Sequence, residues 1–294
     1  MIRDVELTIL GSGTSAGVPL IGCDCAVCTS IDPRNRRLRT SAALRFVDAV
    51  GQARVILLDT SPDLREQALR AKLVRCDAVL YTHNHVDHTF GLDEVRRFNA
   101  LMRAPIPVHA DRSTMEHLQR VYRHIFERDR NPNDSFVATL IPVLIEAGTT
   151  IDLHGIRVLP IELLHGNLPI LGFRIEAIDA NGGIAAEQPG PLPLAYCTDV
   201  SAIPAGTWSA LTGLQTLVLD MLRYRKHPTH LTVDDAVNIA AEVGAEQTLF
   251  VHMTHDIDHA DLDARLPGGM RLAWDGMNVQ KTNEGKVSHP APHS

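Results

Sequence analysis

Four side chains able to bind metal lie within six residues, at positions 83–88 (H-N-H-V-D-H). A regular strand or helix cannot direct all four at one ion. A turn allows His83 and His85 to face one cation while Asp87 and His88 face a second. Imidazole and carboxylate groups suit Zn²⁺, Mn²⁺ or Fe²⁺. Because such a density of ligands is costly without a metal, the run predicts a two-metal site and not a solvated surface cluster.

Two complete sites need further ligands, and three later residues each follow a strand-like run: His165, Asp199 and His252. Strand ends are where folds of this size expose their working groups. His165 or Asp199 alone would be read as a surface residue. Together with the run at 83–88 they supply the missing ligands.

A second group of metal-binding type is a C-x-C-x-x-C motif formed by Cys23, Cys25 and Cys28. Three thiolates at this spacing can occupy three corners of a tetrahedral Zn²⁺ and leave the fourth to a distant residue. His227 and His230, just ahead of a predicted helix, are the candidates for that fourth ligand. Cys76 and Cys197 lie in or beside strand-like segments, which favours buried core thiols.

An arginine-rich segment follows the cysteine motif and contains Arg34, Arg36, Arg37 and Arg39. Arginines can clamp a second phosphate on a substrate through bidentate contacts. Such a run is more often a solvated face. Both interpretations stay open at the level of the sequence.

Hydrophobic periodicity predicts the elements that position these residues. Predicted strands cover Val5–Leu10, Ala42–Val47, Ala53–Asp59, Ala78–Tyr81, Arg157–Leu164, Leu171–Ala177, Leu192–Cys197, Leu214–Asp220 and Gln247–Val251. Predicted helices run from Ser61 to Ala71, Leu92 to Leu101, Ser113 to Phe126 and Thr232 to Val243. Ser61, Ser113 (with Glu116) and Thr232 are the expected N-caps.

Two successive halves, each with strands followed by helices and with no linker between them, predict one α/β domain. Its architecture is an αββα sandwich, with two mixed sheets inside and helices outside. The domain is expected to span residues 1–277, with the cysteine motif inserted at 22–28. A flexible tail is expected at 278–294, which is polar and contains Pro290 and Pro292.

The bulk composition excludes several classes of protein. The 294 residues carry a net charge of −7, which disfavours a nucleic-acid partner. No signal peptide is expected, and no apolar run reaches the ~20 residues needed to cross a bilayer. The sequence therefore predicts a cytoplasmic protein without a membrane partner. A homodimer stays open.

The motif T-H-N-H-V-D-H resembles the H-x-H-x-D-H signature of the metallo-β-lactamase superfamily, and the later ligands follow in the order typical of that superfamily. The resemblance covers roughly residues 7–276. It implies that one metal is held by His83, His85 and His165. It implies that the other is held by Asp87, His88 and His252, with Asp199 as the bridging ligand.

Within that superfamily the chain resembles the subgroup typified by the cyclic phosphodiesterase of the carbon–phosphorus lyase operon. The shared features are the G-S-G-T opening (11–14), the cysteine motif, the paired histidines and the closing D-G-M (275–277). This resemblance implies that His230 completes a structural zinc site with the three cysteines. It implies that His227 points at the active site as a proton donor. The expected catalytic residues are Asp87 and His227.

The expected function is hydrolysis of a small or cyclic phosphodiester by two Zn²⁺ or Mn²⁺ ions and a bridging hydroxide. The alternatives are a lactone, thioester, β-lactam or RNA substrate on the same site. A non-enzymatic binding protein of a cofactor pathway is a further alternative, because a relative in pyrroloquinoline-quinone biosynthesis carries a similar cysteine motif. That relative lacks the full H-x-H-x-D-H set, which favours a hydrolase here.

Overall fold

The structure is a computed structural model that describes residues 1–127 and 136–279. Its first sheet has seven strands in the order β14-β1-β2-β3-β4-β5-β6. They are β1 (Arg3–Gly11), β2 (Ser41–Val47), β3 (Ala53–Leu58), β4 (Ala78–Leu80), β5 (Ile106–Ala110), β6 (Leu140–Leu144) and β14 (Met277–Val279). The strands from β3 to β6 are parallel, and the others pair antiparallel.

The second sheet also has seven strands, in the order β13-β12-β11-β10-β9-β8-β7. They are β7 (Ile151–Leu153), β8 (Ile156–His165), β9 (Leu168–Ala177), β10 (Leu194–Cys197), β11 (Thr216–Asp220), β12 (Gln247–Val251) and β13 (Met270–Leu272). The strands β7 to β10 pair antiparallel, whereas β10 to β13 are parallel.

Helices cover the outer face of each sheet. The α-helices are α1 (Leu64–Arg70), α2 (Val86–Thr89), α3 (Arg96–Met102), α4 (Arg112–Val121), α5 (Arg123–Phe126), α6 (Val233–Val243) and α7 (His259–Asp263). Short 3₁₀ helices occupy Pro33–Asn35, Leu92–Val95 and Ala205–Leu211.

The packing produces three apolar layers because side chains alternate along each strand. Leu7 and Ile9 face the layer between the two sheets, while Leu10 faces the layer beneath the helices of the first sheet. A third layer lies between the second sheet and α6 and includes Ala236 and Ala240. The predicted αββα sandwich is therefore confirmed.

Two of the three predicted N-caps are displaced. Ser61 accepts a hydrogen bond from the Asp63 backbone N–H, so it closes a turn before α1, whose N-cap is Asp63. Helix α4 begins two residues earlier than expected, because Asp111 and not Ser113 accepts the Thr114 N–H. Thr232 caps α6 as predicted.

Strands β5, β6, β7, β13 and β14 were not predicted, since they are short or contain proline. The expected domain boundary at residue 277 falls inside β14, where Asn278 and Val279 pair with β1. The remainder of the expected tail lies outside the described residues. Within the described ranges, the helices are too short or too polar to cross a membrane.

Candidate metal centre

The topology brings one edge of both sheets together above the inter-sheet layer. In parallel strands the carboxyl ends share an edge, and the predicted ligands follow those ends. His83 comes after β4, Asp199 after β10, and His252 directly after β12. His165 is the last residue of β8, which runs in the same direction as β10. The turn at 83–88 and α2 deliver the remaining ligands to the same edge.

All seven residues predicted for the two-metal site lie together and form two groups, called the H site and the D site below. In the H site, the ligand atoms of His83, His85 and His165 lie within 4.8 Å of one another. In the D site, the same limit holds for Asp87, His88, Asp199 and His252. The grouping is the one that the family resemblance implies.

Asp199 lies between the two groups. Its Oδ2 is 3.1 Å from His88 Nε2, and its Oδ1 is 3.2 Å from His252 Nε2. The same Oδ1 is 4.0 Å from His83 Nε2, an atom of the H site. This is the position expected of a carboxylate that bridges two cations.

Outer partners fix the orientation of the ligand histidines. His88 Nδ1 lies 2.8 Å from Asp59 Oδ2, and His165 Nδ1 lies 2.7 Å from the Thr229 carbonyl oxygen. His83 Nδ1 contacts the Thr82 hydroxyl at 3.0 Å. A metal-binding imidazole characteristically uses one nitrogen in this way and directs the other at the ion.

Three ring nitrogens are buried without a hydrogen-bond partner in the described part of the chain: Nε2 of His83, His88 and His252. Buried nitrogens left unsatisfied are costly, so a native fold retains them for a reason. They converge on the two carboxylates Asp87 and Asp199. The donor set of imidazoles and carboxylates therefore fits divalent cations.

The electrostatics of the centre also fit a cation. Burial lowers the pKa of His83 and of His165, which keeps these rings neutral and able to act as ligands. Burial alone would lower the pKa of His88 too, but the carboxylates of Asp199 and Asp59 raise it well above its usual value. A negative field strong enough to do this is one that a bound cation would neutralise.

Three residues of this edge have left-handed backbone: Asp59, Asp199 and His252, with φ of 61°, 59° and 65°. This conformation is uncommon for residues other than glycine and costs of order 1–3 kcal/mol each. The chain turns sharply at each strand end, which places the carboxylate or imidazole in the centre. Strain that clusters in this way is typical of functional sites.

The three thiols of the cysteine motif meet a histidine, but it is His255. Its Nδ1 lies 3.3 Å from Cys23 Sγ, 3.5 Å from Cys25 Sγ and 3.4 Å from Cys28 Sγ. The prediction of His230 as the fourth ligand is therefore corrected. His255 reaches the thiols because the segment after β12 turns back beside residues 12–14, to which Met253 is hydrogen-bonded.

The thiols are arranged as ligands of a closed site. The Cys28 backbone N–H is the largest influence on Cys25 and lowers the pKa of its thiol to about 6. Burial raises the pKa of Cys28 to about 11. Three sulfurs and one imidazole nitrogen are the donor set of a closed tetrahedral metal site, which would leave no corner for substrate.

His230 lies at the metal centre instead. Its ring stacks on His252 with centroids 4.7 Å apart and approaches His165 at 4.6 Å. Its Nδ1 is 2.9 Å from Asp220 Oδ1, and Asp220 Oδ2 accepts the Leu231 N–H. Asp220 is fully buried and thus holds His230 at the mouth of the centre.

His227 is farther out. Its ring lies 5.2 Å from His230, and its Nδ1 accepts from the Thr229 hydroxyl at 3.1 Å. Burial and the neighbouring His230 lower its pKa. His230 therefore lies at the mouth of the metal centre, and His227 lies next to it on the outer side.

Three of the four arginines in the arginine-rich segment serve the fold, whereas Arg36 is exposed. Arg34 pairs with Asp32, and Arg39 pairs with Asp63. Arg37 is almost fully buried and donates to the carbonyls of Thr254 and Ile257. These arginines are committed to carboxylates and backbone, and Arg37 anchors the segment that carries His255.

Sequence reasoning missed Asp59, Asp220 and His255. The first two follow or end buried strands, the same signal that identified Asp199, and could have been found by it. The signal for His255 is its position three residues after His252.

Comparisons with known proteins agree with this geometry. The family model described as Beta-lactamase superfamily domain matches residues 54–253, more than half of the chain. The protein belongs to this superfamily.

A solved structure described as a new diphosphatase from the PhnP family superimposes with a TM-score of 0.81 at 38% identity. It covers 95% of this chain and 98% of its own. The protein is thus a metallo-β-lactamase superfamily hydrolase that resembles the PhnP family.

Two curated relatives carry other names. An octanoyltransferase of Porphyromonas gingivalis is 31% identical over 97% of this chain, and a coenzyme PQQ synthesis protein B of Methylobacterium nodulans is 32% identical over 38% of it. This chain spans 54% of the first relative and 39% of the second. Because so much of each relative is unmatched, neither name transfers to this protein.

Proposed function

We propose that the protein hydrolyses small phosphodiesters with two divalent cations, Zn²⁺ or Mn²⁺, and that the cysteine motif holds a third, structural Zn²⁺. The observation that carries this proposal is the position of Asp199 between the two ligand groups. In this proposal the H site and the D site each hold one active-site ion. The three cysteines and His255 hold the structural ion.

Two bound cations would supply Lewis acidity toward phosphoryl oxygens and would lower the pKa of a bound water. The residues of the protein fix the spacing and orientation of the ligands. Asp199 sets the separation of the two groups, and Asp59 and Thr229 hold His88 and His165 in the required orientation.

His230 is the proton donor to the leaving alcohol. The Asp220 carboxylate holds its Nδ1, so Nε2 is the atom left to deliver a proton. This arrangement of a histidine oriented by a buried carboxylate is the usual one for general acid–base work. It replaces the earlier assignment of this role to His227, whose Nδ1 is held only by a threonine.

The PhnP-family structure supports phosphorus as the atom attacked. Cleavage of a diphosphate and of a phosphodiester both break a P–O bond at an anionic phosphorus centre. Phosphoanhydrides are therefore the second substrate class that the comparison favours. Lactones, thioesters and RNA find support only in folds less than 25% identical or in the fold itself.

A substrate panel tests the proposal. Protein reconstituted with Zn²⁺ or with Mn²⁺ should hydrolyse bis-p-nitrophenyl phosphate and 2′,3′-cyclic AMP. The chelated protein should be inactive and should recover when metal is returned. Elemental analysis of protein purified without chelators should give three ions per chain.

Two results would contradict this. One is turnover of a lactone or thioester with none of any phosphodiester or diphosphate. The other is a metal content of one ion or fewer per chain in a protein that is fully folded.

A further inference from the structure

One buried carboxylate lies where four segments of the chain meet. Asp275 belongs to the D-G-M motif ahead of β14, and its side chain is 5% exposed. Its Oδ1 accepts the Ser12 backbone N–H at 2.9 Å and the Ser12 hydroxyl at 2.8 Å. Its Oδ2 accepts the Leu38 backbone N–H at 2.8 Å and the Arg70 guanidinium at 3.2 Å. The carboxylate therefore ties the G-S-G-T segment (11–14) to the arginine-rich segment.

The donors around this carboxylate compensate for its burial. Burial raises the pKa of Asp275, and the Leu38 N–H, the Ser12 hydroxyl and Arg70 act in the opposite direction. A backbone N–H that loses its acceptor inside a protein is costly. Removal of one carboxylate oxygen would therefore loosen at least one of the two segments that Asp275 holds.

The G-S-G-T segment in turn holds the strand end that carries His252. The Met253 N–H donates to the Ser12 carbonyl at 3.0 Å, and the Thr14 N–H donates to the Met253 carbonyl at 3.2 Å. Met253 directly follows His252, which is buried in the D site. Two successive hydrogen bonds thus connect Asp275 to the residue beside a metal ligand.

Glycine at position 13 allows the two tied segments to lie against each other. A Cβ atom on Gly13 would lie 2.8 Å from the Cβ and the carbonyl oxygen of Arg37, which is too close for any other residue. The Gly13 N–H donates to the Leu38 carbonyl at 2.8 Å. The segments joined by Asp275 therefore also pair directly.

The arginine-rich segment holds the other side of the same loop. The guanidinium of Arg37 donates to the carbonyls of Thr254 and Ile257, both at 2.7 Å. His255, which meets the three thiols, lies between these two residues in the chain. Leu38, which directly follows Arg37, is the residue that Asp275 holds. One carboxylate thus supports both segments that hold residues 252–257.

We propose that Asp275 is a positioning residue for two metal sites at once, the D site through His252 and the cysteine cluster through His255. The H site provides an internal reference. Its ligands come from the turn after β4 and from the end of β8, and none of the hydrogen bonds that Asp275 makes within the described residues reaches them. This inference rests on the proposed metal sites and on no particular substrate.

Zinc affinity measured one site at a time tests the proposal. His85→Ala leaves the D site intact, and Asp87→Ala leaves the H site intact, so calorimetry with Zn²⁺ on each background reports one site. Asp275→Asn keeps one acceptor oxygen and loses the other. We expect it to weaken Zn²⁺ binding at the D site by about tenfold, the lower end of the range for residues that orient ligands, and to change the H site by less than about twofold.

The cysteine cluster has its own spectroscopic signature. Co²⁺ bound to thiolates shows a charge-transfer absorption that Co²⁺ bound to imidazole and carboxylate does not. In Co²⁺-loaded protein mixed with a chelator, Asp275→Asn should lose this absorption faster than wild type, by about tenfold.

Asp77→Asn is the matched control. Asp77 is also a buried carboxylate that accepts a backbone N–H, from Val55 at 2.8 Å, and pairs with two arginines, but it lies at the opposite end of β4. It should lower the melting temperature and leave all three sites unchanged. Ser12→Ala is the milder variant, because it removes only the hydroxyl contact. It should weaken the D site less than Asp275→Asn and in the same direction.

The outcomes separate this inference from the proposed function. If Asp275→Asn keeps the wild-type affinity at the D site and releases Co²⁺ at the wild-type rate, Asp275 serves the fold alone and the inference is wrong. Equal losses at the H and D sites would indicate general loosening and would also overturn it. Should Asp275→Asn fail to fold, an unchanged D site in Ser12→Ala overturns it. Wild-type protein that binds no Zn²⁺ at either active-site group would contradict the proposed function itself.

Discussion

The two metal-type clusters of this protein are built in opposite ways. The centre at the sheet edge draws its ligands from strand ends far apart in the chain, and buried groups such as Asp59 orient several of them. The cysteine cluster takes three ligands from a six-residue loop whose thiols are only half-buried, and takes the fourth, His255, from another loop. His252 and His255 serve the two clusters from the same short segment.

The difference indicates separate roles. An edge formed by preorganised strands can keep its shape without metal, so loss of a ligand there should affect chemistry more than stability. A loop without regular structure needs its cross-link to hold its shape, so loss of a ligand there should affect stability more than chemistry.

The strongest test of this contrast is Asp87→Ala at the D site. The side chain is buried among His88, His252 and Asp199, and burial opposes its ionisation while the histidines hold its pKa below the usual range. We expect turnover to fall by more than about 10³-fold, beyond the 10–100-fold typical of outer-shell changes. The melting temperature should stay within a few degrees of wild type, measured by circular dichroism.

Asp93→Ala is the matched control, because Asp93 lies on the neighbouring 3₁₀ helix and pairs with Arg96 at the surface. It should retain near-normal turnover. Full activity in Asp87→Ala would show that the D site is misassigned.

A smaller loss of activity is expected from His230→Ala. Without the proton donor, hydrolysis of 2′,3′-cyclic AMP should slow by about 10²–10⁴-fold. The loss should shrink for bis-p-nitrophenyl phosphate, whose p-nitrophenolate leaves without a proton. Steady-state kinetics on both substrates measures the difference.

His227→Ala gives the comparison for that result. If His227→Ala shows the loss that depends on the leaving group and His230→Ala does not, then His227 is the proton donor. Equal losses on both substrates for His230→Ala would indicate a structural role.

A still smaller effect is expected from Asp59→Asn, which weakens the orientation of His88. Asparagine tolerates the left-handed backbone at this position, so the fold should be kept. Metal affinity at the D site should fall by about 10–100-fold. Metal titration by calorimetry measures this directly.

Asp77→Asn serves as its control. Asp77 is also buried, but it pairs with Arg54 and Arg75 at the opposite end of β4. It should lower stability and leave metal affinity unchanged. A loss of affinity as large as that of Asp59→Asn would mean that the effect is not local.

The contrast between ligands at strand ends and ligands on loops also determines how much of the structure could be predicted from the sequence. The fold class and the members of both ligand groups follow from hydrophobic periodicity and from polar residues at strand ends, because strand ends have a fixed place in the fold. His255 could not be identified as the fourth ligand from the sequence, since which loop reaches the thiols depends on packing. Arg37, buried beneath Thr254, directs that loop, and a buried arginine is not foreseeable from spacing.

The smallest effect on turnover is expected at the cysteine cluster, and it should be accompanied by a clear loss of stability. Cys25→Ser and His255→Ala should each lower the melting temperature by roughly 5–10 °C, since several kcal/mol at 2–4 °C per kcal/mol gives this range. Each should also remove one ion per chain. Turnover measured at low temperature, where the protein is folded, should fall by less than about tenfold, because His255 also lines a cavity beside His230.

His230→Ala decides between the two histidines at this cluster. If His255 is the fourth ligand, His230→Ala keeps three ions per chain, and its melting temperature stays near that of wild type. Were His230 the ligand, His230→Ala would match Cys25→Ser in melting temperature and in metal content, and His255→Ala would not. A Cys25→Ser variant as stable as wild type and with unchanged metal content would remove the structural role altogether. The stability of the protein would then not depend on the cysteine cluster, and the contrast between the two clusters would be lost.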